Sequence, residues 1–302
     1  MIFLFRFKKL QEIFEIGGIK IGGQPGELPS VLIGSIFHVG HKIVKDRTSG
    51  TFDKNEAKRL IKVQEEMSER TGNPCMLDVV GESSRVLVKY IEFVSEVTDM
   101  PFLINGPNIS VRSEATKYAT EIGLKDKVIY DSINYTLNDE EILAIRKTGI
   151  ETALIQAFNP KNPHPQGMIS ILRDLIDSSS ESGIKKYLLF MPVLDVPSIG
   201  FGSYGIRLAK EEFGMPVGTA PIGVVGRWNR CKEFGRYAKK TCRAGAASLA
   251  QSMGANFLIY GSLSKARDIF PVCSMMDAVI AYNARNLGIK PLTKDHPLYK
   301  IF

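Results

Sequence analysis

The chain has 302 residues, 44% hydrophobic and 24% charged, with a formal net charge of +7. That balance excludes a disordered chain and leaves enough apolar material for one large core or two small ones. The longest apolar stretch, 187–194, contains Pro192 and is far shorter than the roughly 20 residues a bilayer-spanning helix needs, so no transmembrane helix is expected.

The opening Met1–Lys9 places its charges after its apolar residues and has no small-residue cleavage site, so a secretory leader is not expected and a cytoplasmic chain is. Next, Glu15-Ile16-Gly17-Gly18-Ile19-Lys20-Ile21 predicts a hairpin about a Gly-Gly turn. Residues 10–30 are read as this hairpin and its lead-in, placed to plug the N-terminal end of a barrel. Eight short apolar runs follow, at 31–36, 76–80, 102–104, 128–130, 153–155, 187–193, 217–220 and 257–260. Helical patterns accompany them at 53–70, 84–96, 112–122, 139–147, 167–182, 204–213, 231–253 and 272–286. Asp53 ahead of Glu56, and Asn138 ahead of Glu141, are N-cap signals with an acid three residues later. The strand–helix cadence continues to residue 286 without a linker, which predicts a single domain over 1–302 and a (β/α)8 barrel.

A doubly wound open sheet is the competing architecture, because Gly200-Phe201-Gly202-Ser203-Tyr204-Gly205 matches the dinucleotide fingerprint. That fingerprint normally opens its domain, whereas here it follows the sixth run, and no acid stands near Thr219 or Pro221 to hold a ribose. Cys75, Cys231, Cys242 and Cys273 lack the spacing of a zinc site or a disulfide framework. His38 and His41 fall in the loop after the first run, where hydrogen bonding to backbone is the simpler reading and anion contact beside Lys42 the alternative. His164 and His296 supply no convincing further metal ligand. No nucleophile elbow, Walker loop or zinc-protease helix occurs. Lys232, Arg236, Lys239 and Arg243 would share one face of the helix predicted over 231–253, as a solvated face or a surface for an anion or acidic partner. Nucleic acid is not an expected partner.

The remaining constellation is polar. Asp78, Asn105, Asp131 with Ser132 and Asn134, Gln156 with Asn159, and Asp195 stand at or just beyond the ends of apolar runs. In a barrel these ends converge at one mouth, where many acceptors would suit a flat heterocycle rich in N–H donors.

Several strings resemble the H-subunit family of tetrahydromethanopterin S-methyltransferase, which includes soluble relatives that methylate tetrahydrofolate from corrinoid proteins. They are Ile21-Gly22-Gly23-Gln24-Pro25-Gly26-Glu27, Val31-Leu32-Ile33-Gly34-Ser35-Ile36-Phe37, Gly40-His41-Lys42-Ile43-Val44, Phe52-Asp53-Lys54, Thr71-Gly72-Asn73-Pro74 and Tyr130-Asp131-Ser132-Ile133. The resemblance runs from about residue 10 to the C-terminus. It implies a pterin-binding barrel of the dihydropteroate synthase type and methyl transfer between a methyl-tetrahydropterin and a corrinoid cobalt. The methyl carrier would be tetrahydromethanopterin or tetrahydrofolate, and the cobalt would arrive on a corrinoid-binding partner, because the chain has no Asp-x-His-x-x-Gly motif.

The resemblance also implies that Asp78, Asn105, Asp131 and Asp195 hold the pterin, with Asp131 and Asp195 as catalytic candidates. Ser132, Asn134, Gln156, Asn159 and Gly223 complete the expected cofactor set, with Gly200 and Gly202 of a Gly-Phe-Gly turn after the sixth strand. Two departures stand out. The family's third strand ends in Asp and its fourth in Tyr-Asn-Ser-Ile, so acid and amide are exchanged here at Asn105 and Asp131. The seventh-strand asparagine of the folate-dependent corrinoid methyltransferases is replaced by Thr219-Ala220-Pro221-Ile222-Gly223. The exchange keeps a second reading open, a docking or regulatory subunit that has lost turnover. Another pterin barrel such as dihydropteroate synthase is a third, but the seventh-strand lysine for its diphosphate chemistry is missing. A homodimer and peripheral association with a membrane complex are further implied expectations.

Overall fold

The computed structural model describes residues 5–302; Met1–Leu4, part of the opening stretch read above as carrying no leader, lie outside the described residues. Ile13–Ile16 (β1) and Ile19–Gly22 (β2) form the expected antiparallel hairpin. Gly17 and Gly18 supply the turn, with φ of 52° and 83° that side chains rarely tolerate in succession. Then come β3 (Val31–Ile36) and a small ribbon of β4 (Val44–Asp46) and β5 (Thr51–Phe52). The chain continues through α1 (Lys54–Thr71), β6 (Cys75–Val80), α2 (Ser84–Val97), β7 (Phe102–Asn105), α3 (Ile109–Glu121), β8 (Val128–Ile133) and α4 (Asp139–Thr148). It ends with β9 (Thr152–Gln156), α5 (Pro165–Ser178), β10 (Lys186–Met191), α6 (Ile199–Glu212), β11 (Val217–Thr219), α7 (Pro221–Arg227), α8 (Ala238–Ser252), β12 (Phe257–Ser262), α9 (Ala266–Ala284) and α10 (Pro297–Lys300).

The eight apolar runs are the eight barrel strands. Parallel pairing runs β10-β11-β12-β3-β6-β7-β8-β9, and β9 closes onto β10, so the open-sheet alternative is set aside. Side chains alternate along each strand. Val31, Ile33, Met76, Leu103, Ile129, Leu154, Leu188, Phe190 and Phe257 fill the barrel, while Leu32, Leu77, Ile104, Tyr130, Ile155 and Leu189 pack outward into the core shared with the helices.

The hairpin closes the bottom of this interior. Ile16 and Ile21 belong to the inner cluster, and each buried side chain contributes about 2 kcal/mol. The Gly17 N–H donates to Asp126 O (2.8 Å), and Lys186 Nζ to Glu15 O (2.6 Å), which ties the hairpin to the loops and strands around that end. The lead-in is held by Lys210 of α6, fully buried, whose Nζ donates to Gly23 O (3.0 Å) and Asn256 Oδ1 (2.7 Å).

Three helices depart from expectation. The predicted 231–253 helix is broken: Gly235, at φ 101°, separates a 3₁₀ segment over Asn229–Phe234 from α8. Lys232 and Arg236 therefore do not share a helical face with Lys239 and Arg243. The second departure is α6, which starts at Ile199 and contains all of Gly200–Gly205, so this string is helix rather than a phosphate-cradling turn. The third is α9, which begins at Ala266, ahead of the expected 272, and carries Pro271 inside it. Among the described residues, no helix is long and apolar enough to cross a membrane.

Candidate active site

Counting two residues up from the interior apolar layer places a polar residue on five neighbouring strands. Ser35 follows Ile33, Asp78 follows Met76, Asn105 follows Leu103, Asp131 follows Ile129, and Gln156 follows Leu154. All five lie toward the C-terminal ends of their strands, the face on which barrel enzymes carry their chemistry. The register sets the neighbours: Ser35 is opposite Asp78, and Asn105 is opposite Asp131. Asp78 accepts hydrogen bonds from Ser35 Oγ (2.6 Å) and Asn105 Nδ2 (3.0 Å). Strand β8 shifts register between Asp131 and Ile133, and the Asp131–Ser132 peptide is cis.

Asp78 and Asp131 are both buried, at 5% and 9% exposure. Burial raises the Asp78 carboxyl above its ordinary value, opposed by its hydrogen bonds from Ser35 and Asn105 and by nearby His38. Asp131 is pushed up to about 8, by burial first and by the Asp78 carboxyl second, while Arg112 and Ser132 pull it down. Burial and the Asp78 charge thus both favour the protonated form of Asp131.

A cleft of roughly 600 Å³ opens beside this floor, lined in part by Asn108, Arg112, Asn134, Tyr135 and Gln156. Asn134 and Gln156 both line this cleft. Asn134 Oδ1 accepts from Thr136 N (3.0 Å), which braces the rim, and Ser132 stands half-buried beside Asp131. Asn159 is committed elsewhere: its Oδ1 accepts from Lys161 N (3.0 Å) and its Nδ2 donates to Gly167 O (3.0 Å), fastening the loop after β9.

Asp195 also lies apart from the buried network. It is exposed, beyond the end of β10, and its Oδ1 accepts from Ser198 N (2.9 Å) at the start of α6. Hydrogen bonds from Ser198 hold its carboxyl below the usual range. Gly200 is exposed and free of crowding, whereas a Cβ on Gly202 would meet Val193 Cγ2 at 2.8 Å, so that glycine serves close packing of α6. Gly223, inside α7, has nothing within 4 Å of an added Cβ.

The first loop is set by Phe37, a bulky residue at φ 63°, stacked on Tyr90 with centroids 4.0 Å apart. It turns His38 and His41 into a stacked pair at 4.7 Å. His41 Nδ1 accepts from Phe37 N (3.1 Å), as the backbone-bonding reading expects, and burial pulls its ring down to about 4, so it is neutral. Among the described residues, no group of three or more His, Cys, Asp or Glu is arranged to hold a metal ion.

Cations at the mouth escape sequence reading. Arg112 is buried and donates to Glu141 Oε1 (2.7 Å), Tyr130 OH (3.2 Å) and Gly106 O (3.1 Å). Glu141 is fully buried too, so its side chain serves this ion pair, although Asn138 Oδ1 does cap Glu141 N (2.9 Å) as predicted. Lys265, after β12, donates to Tyr260 O (3.3 Å) and is drawn down to about 8 by burial and by Arg243. In the basic segment, Lys239 Nζ donates to Gly226 O (2.8 Å), Lys240 pairs with Asp268, and Arg236 lies over the Tyr237 ring at 4.4 Å.

The closed eight-stranded barrel is also the fold of the dihydropteroate synthases. One from Xanthomonas albilineans, solved with 4-aminobenzoic acid, superposes with a TM-score of 0.58 over 92% of this chain and 99% of that one, at 15% sequence identity. A Yersinia pestis dihydropteroate synthase gives 0.57 over 88% and 98%, at 14% identity. The sequence assigns the family within that fold. Residues 9–292 match the model of the tetrahydromethanopterin S-methyltransferase MtrH subunit, and the chain belongs to this methyltransferase family. The tetrahydromethanopterin S-methyltransferase H-subunit of Methanothermobacter thermautotrophicus is 37% identical over 99% of this chain and 100% of its own length. That of Methanopyrus kandleri is 36% identical over 96% and 97%.

Proposed function

We propose that this protein transfers a methyl group between a methyl-tetrahydropterin and the cobalt of a corrinoid carried by a partner protein. The observation that carries the reading is the Asp78–Asn105–Asp131 floor on adjacent strands at the barrel mouth: two buried carboxyls, one hydrogen-bonded to the Asn105 amide and the other opposite that amide in register. This donor set fits a pterin, whose amino-pyrimidinone edge offers paired N–H donors and whose other edge mixes donors and acceptors. Asp78 and Asn105 bind the pyrimidinone, with Gln156 and Asn134 on the cleft wall. When bound, the pterin supplies a methyl group on a ring nitrogen and the corrinoid a nucleophilic metal. A methylated nitrogen leaves poorly unless it gains positive charge. Asp131, buried and proton-holding near neutral pH, is the group that supplies a proton there. Asp195, exposed and engaged by Ser198, has no part in this reading.

Tetrahydromethanopterin is the favoured carrier, since the curated relatives bear its name. Incubation of the purified protein with cob(I)alamin and methyl-tetrahydromethanopterin, and in parallel with methyl-tetrahydrofolate, is followed by the loss of cob(I)alamin absorbance. Loss with the methanopterin substrate is the expected result. No loss with either pterin, together with retained binding of a corrinoid protein, would favour the docking-subunit reading instead.

The partner docks over the mouth, within reach of the basic segment between α7 and α8, where Arg230, Lys232 and Arg236 are exposed. Lys232→Glu with Arg236→Glu is expected to raise the apparent KM for the corrinoid protein about tenfold, with little change for free cobalamin, because the effect is long-range attraction. An unchanged KM would make the segment a plain solvated face.

A further inference from the structure

We propose that Arg112, held by Glu141, is the positioning residue of this site, fixing the strand ends that carry Asn105 and Asp131 and setting the field in which Asp131 works. The inference rests on the reading of Asp131 as the proton-holding group. Its geometry is independent of that reading. Arg112, in the first turn of α3, donates to the carbonyl of Gly106, the residue after Asn105, and to the hydroxyl of Tyr130, the residue before Asp131. One guanidinium therefore bridges the two strands that carry Asn105 and Asp131. The third arm goes to Glu141 Oε1, which also accepts from Tyr130 OH (2.6 Å). Gly106 leaves room for this, since an added Cβ would lie 2.8 Å from Val111 Cγ1 and 3.2 Å from Arg112 Cγ.

Arg112 is 4% exposed and Glu141 0%, and such a pair is seldom a gain in stability over apolar residues of similar size. Its place is better explained by charge. Around Asp131 stand the Asp78 carboxyl from β6, with His38 of the first loop beyond it, the Asn105 amide from β7, Ser132 next in the chain, and Arg112 from α3. Among these, the guanidinium is the fixed cation, and Glu141 offsets part of it.

The two members of the pair should thus move Asp131 in opposite directions. Arg112→Gln removes the cation and is expected to raise the Asp131 titration by roughly one pH unit; Glu141→Gln leaves the cation uncompensated and lowers it by a similar amount. The readout is the carboxyl carbon resonance of Asp131 in the full-length, ¹³C-aspartate-labelled protein, assigned with Asp131→Asn, alongside the pH profile of methyl transfer. A purely structural pair would shift both variants the same way or neither, and that result overturns the inference. Should Arg112→Gln fail to fold, the isosteric Glu141→Gln decides alone: a downward shift supports the inference and an unmoved resonance overturns it. Because the resonance is read without turnover, opposite shifts in a protein inactive toward both pterins would defeat the functional reading and leave the positioning role standing.

Discussion

Asp131→Asn is expected to lower kcat/KM for methyl transfer from methyl-tetrahydromethanopterin to cob(I)alamin on the order of 10³-fold, the scale of a lost general acid. The same change should stabilise the protein at alkaline pH. The Asp131 carboxyl titrates near 3.8 when unfolded and is raised to about 8 in the fold. Between those values the native state holds a proton that the unfolded state has released, so native stability declines as pH climbs through the interval. An amide has no such dependence. Asn at this position is expected to gain on the order of 2 kcal/mol over the parent at pH 8 and little near pH 4, read from urea unfolding at the two pH values. Equal stability of parent and variant across the range would deny that burial and the Asp78 charge raise this carboxyl in the fold.

A paired exchange separates the need for a carboxyl from the need for it at residue 131. Asn105→Asp with Asp131→Asn installs the arrangement that the family resemblance implies, still with one acid beside Asp78. It should recover most of the activity lost in Asp131→Asn, because Asn105 and Asp131 are directly opposed in the β7–β8 register. A double variant as inactive as the single one would mean that the acid must project from β8.

Strand periodicity carried most of this fold into the sequence. Eight apolar runs became eight barrel strands because each is short and followed by at least one helix, and the Gly17-Gly18 turn has little choice of conformation. The same alternation separates residues that face the barrel axis from those that make turns. Asp78 and Asp131 fall an even number of residues after interior Met76 and Ile129, so they must face the barrel axis. Asn159 and Asp195 lie past the last ladder residues, Gln156 and Met191, where a side-chain oxygen two or three residues before a backbone N–H simply makes a turn.

Arg112 and Glu141 went unread for a different reason: each had a ready local explanation as part of a helix start. Spacing held the missing signal. Arg112 precedes Ala115 and Ala119 by three and seven residues, and Glu141 precedes Ile145 by four, so both charges sit on the buried stripe of their helices. The broken basic segment had no comparable signal beyond Gly235, whose φ depends on how the chain crosses the mouth.

Gly34→Ala is expected to be strongly disruptive for a single added methyl. Gly34 lies on β3 between inward-facing Ile33 and Ser35, with its open side against α1 and the end of β12. An added Cβ would overlap Gln64 Oε1, Leu263 Cδ2 and the Tyr260 hydroxyl together. These neighbours cannot retreat cheaply. Tyr260 is fully buried and donates its hydroxyl to Gln64 Oε1, while Gln64 Nε2 donates to Met76 O (3.1 Å) on β6. Moving Gln64 breaks a buried polar chain; moving β3 instead draws Ser35 Oγ off Asp78, 2.6 Å away. Overpacking and a lost buried hydrogen bond together should cost about 3 kcal/mol. Because β3 would yield toward the axis, activity should fall as well, and the Asp78 titration should rise with the loss of the Ser35 hydrogen bond. Gln64→Ala in the same chain removes one of the three collisions, so the double variant should cost less than the two single changes added. A Gly34→Ala protein with parental unfolding free energy would show that β3 has slack there, and that the Ser35–Asp78 contact is not set by the packing of α1 behind it.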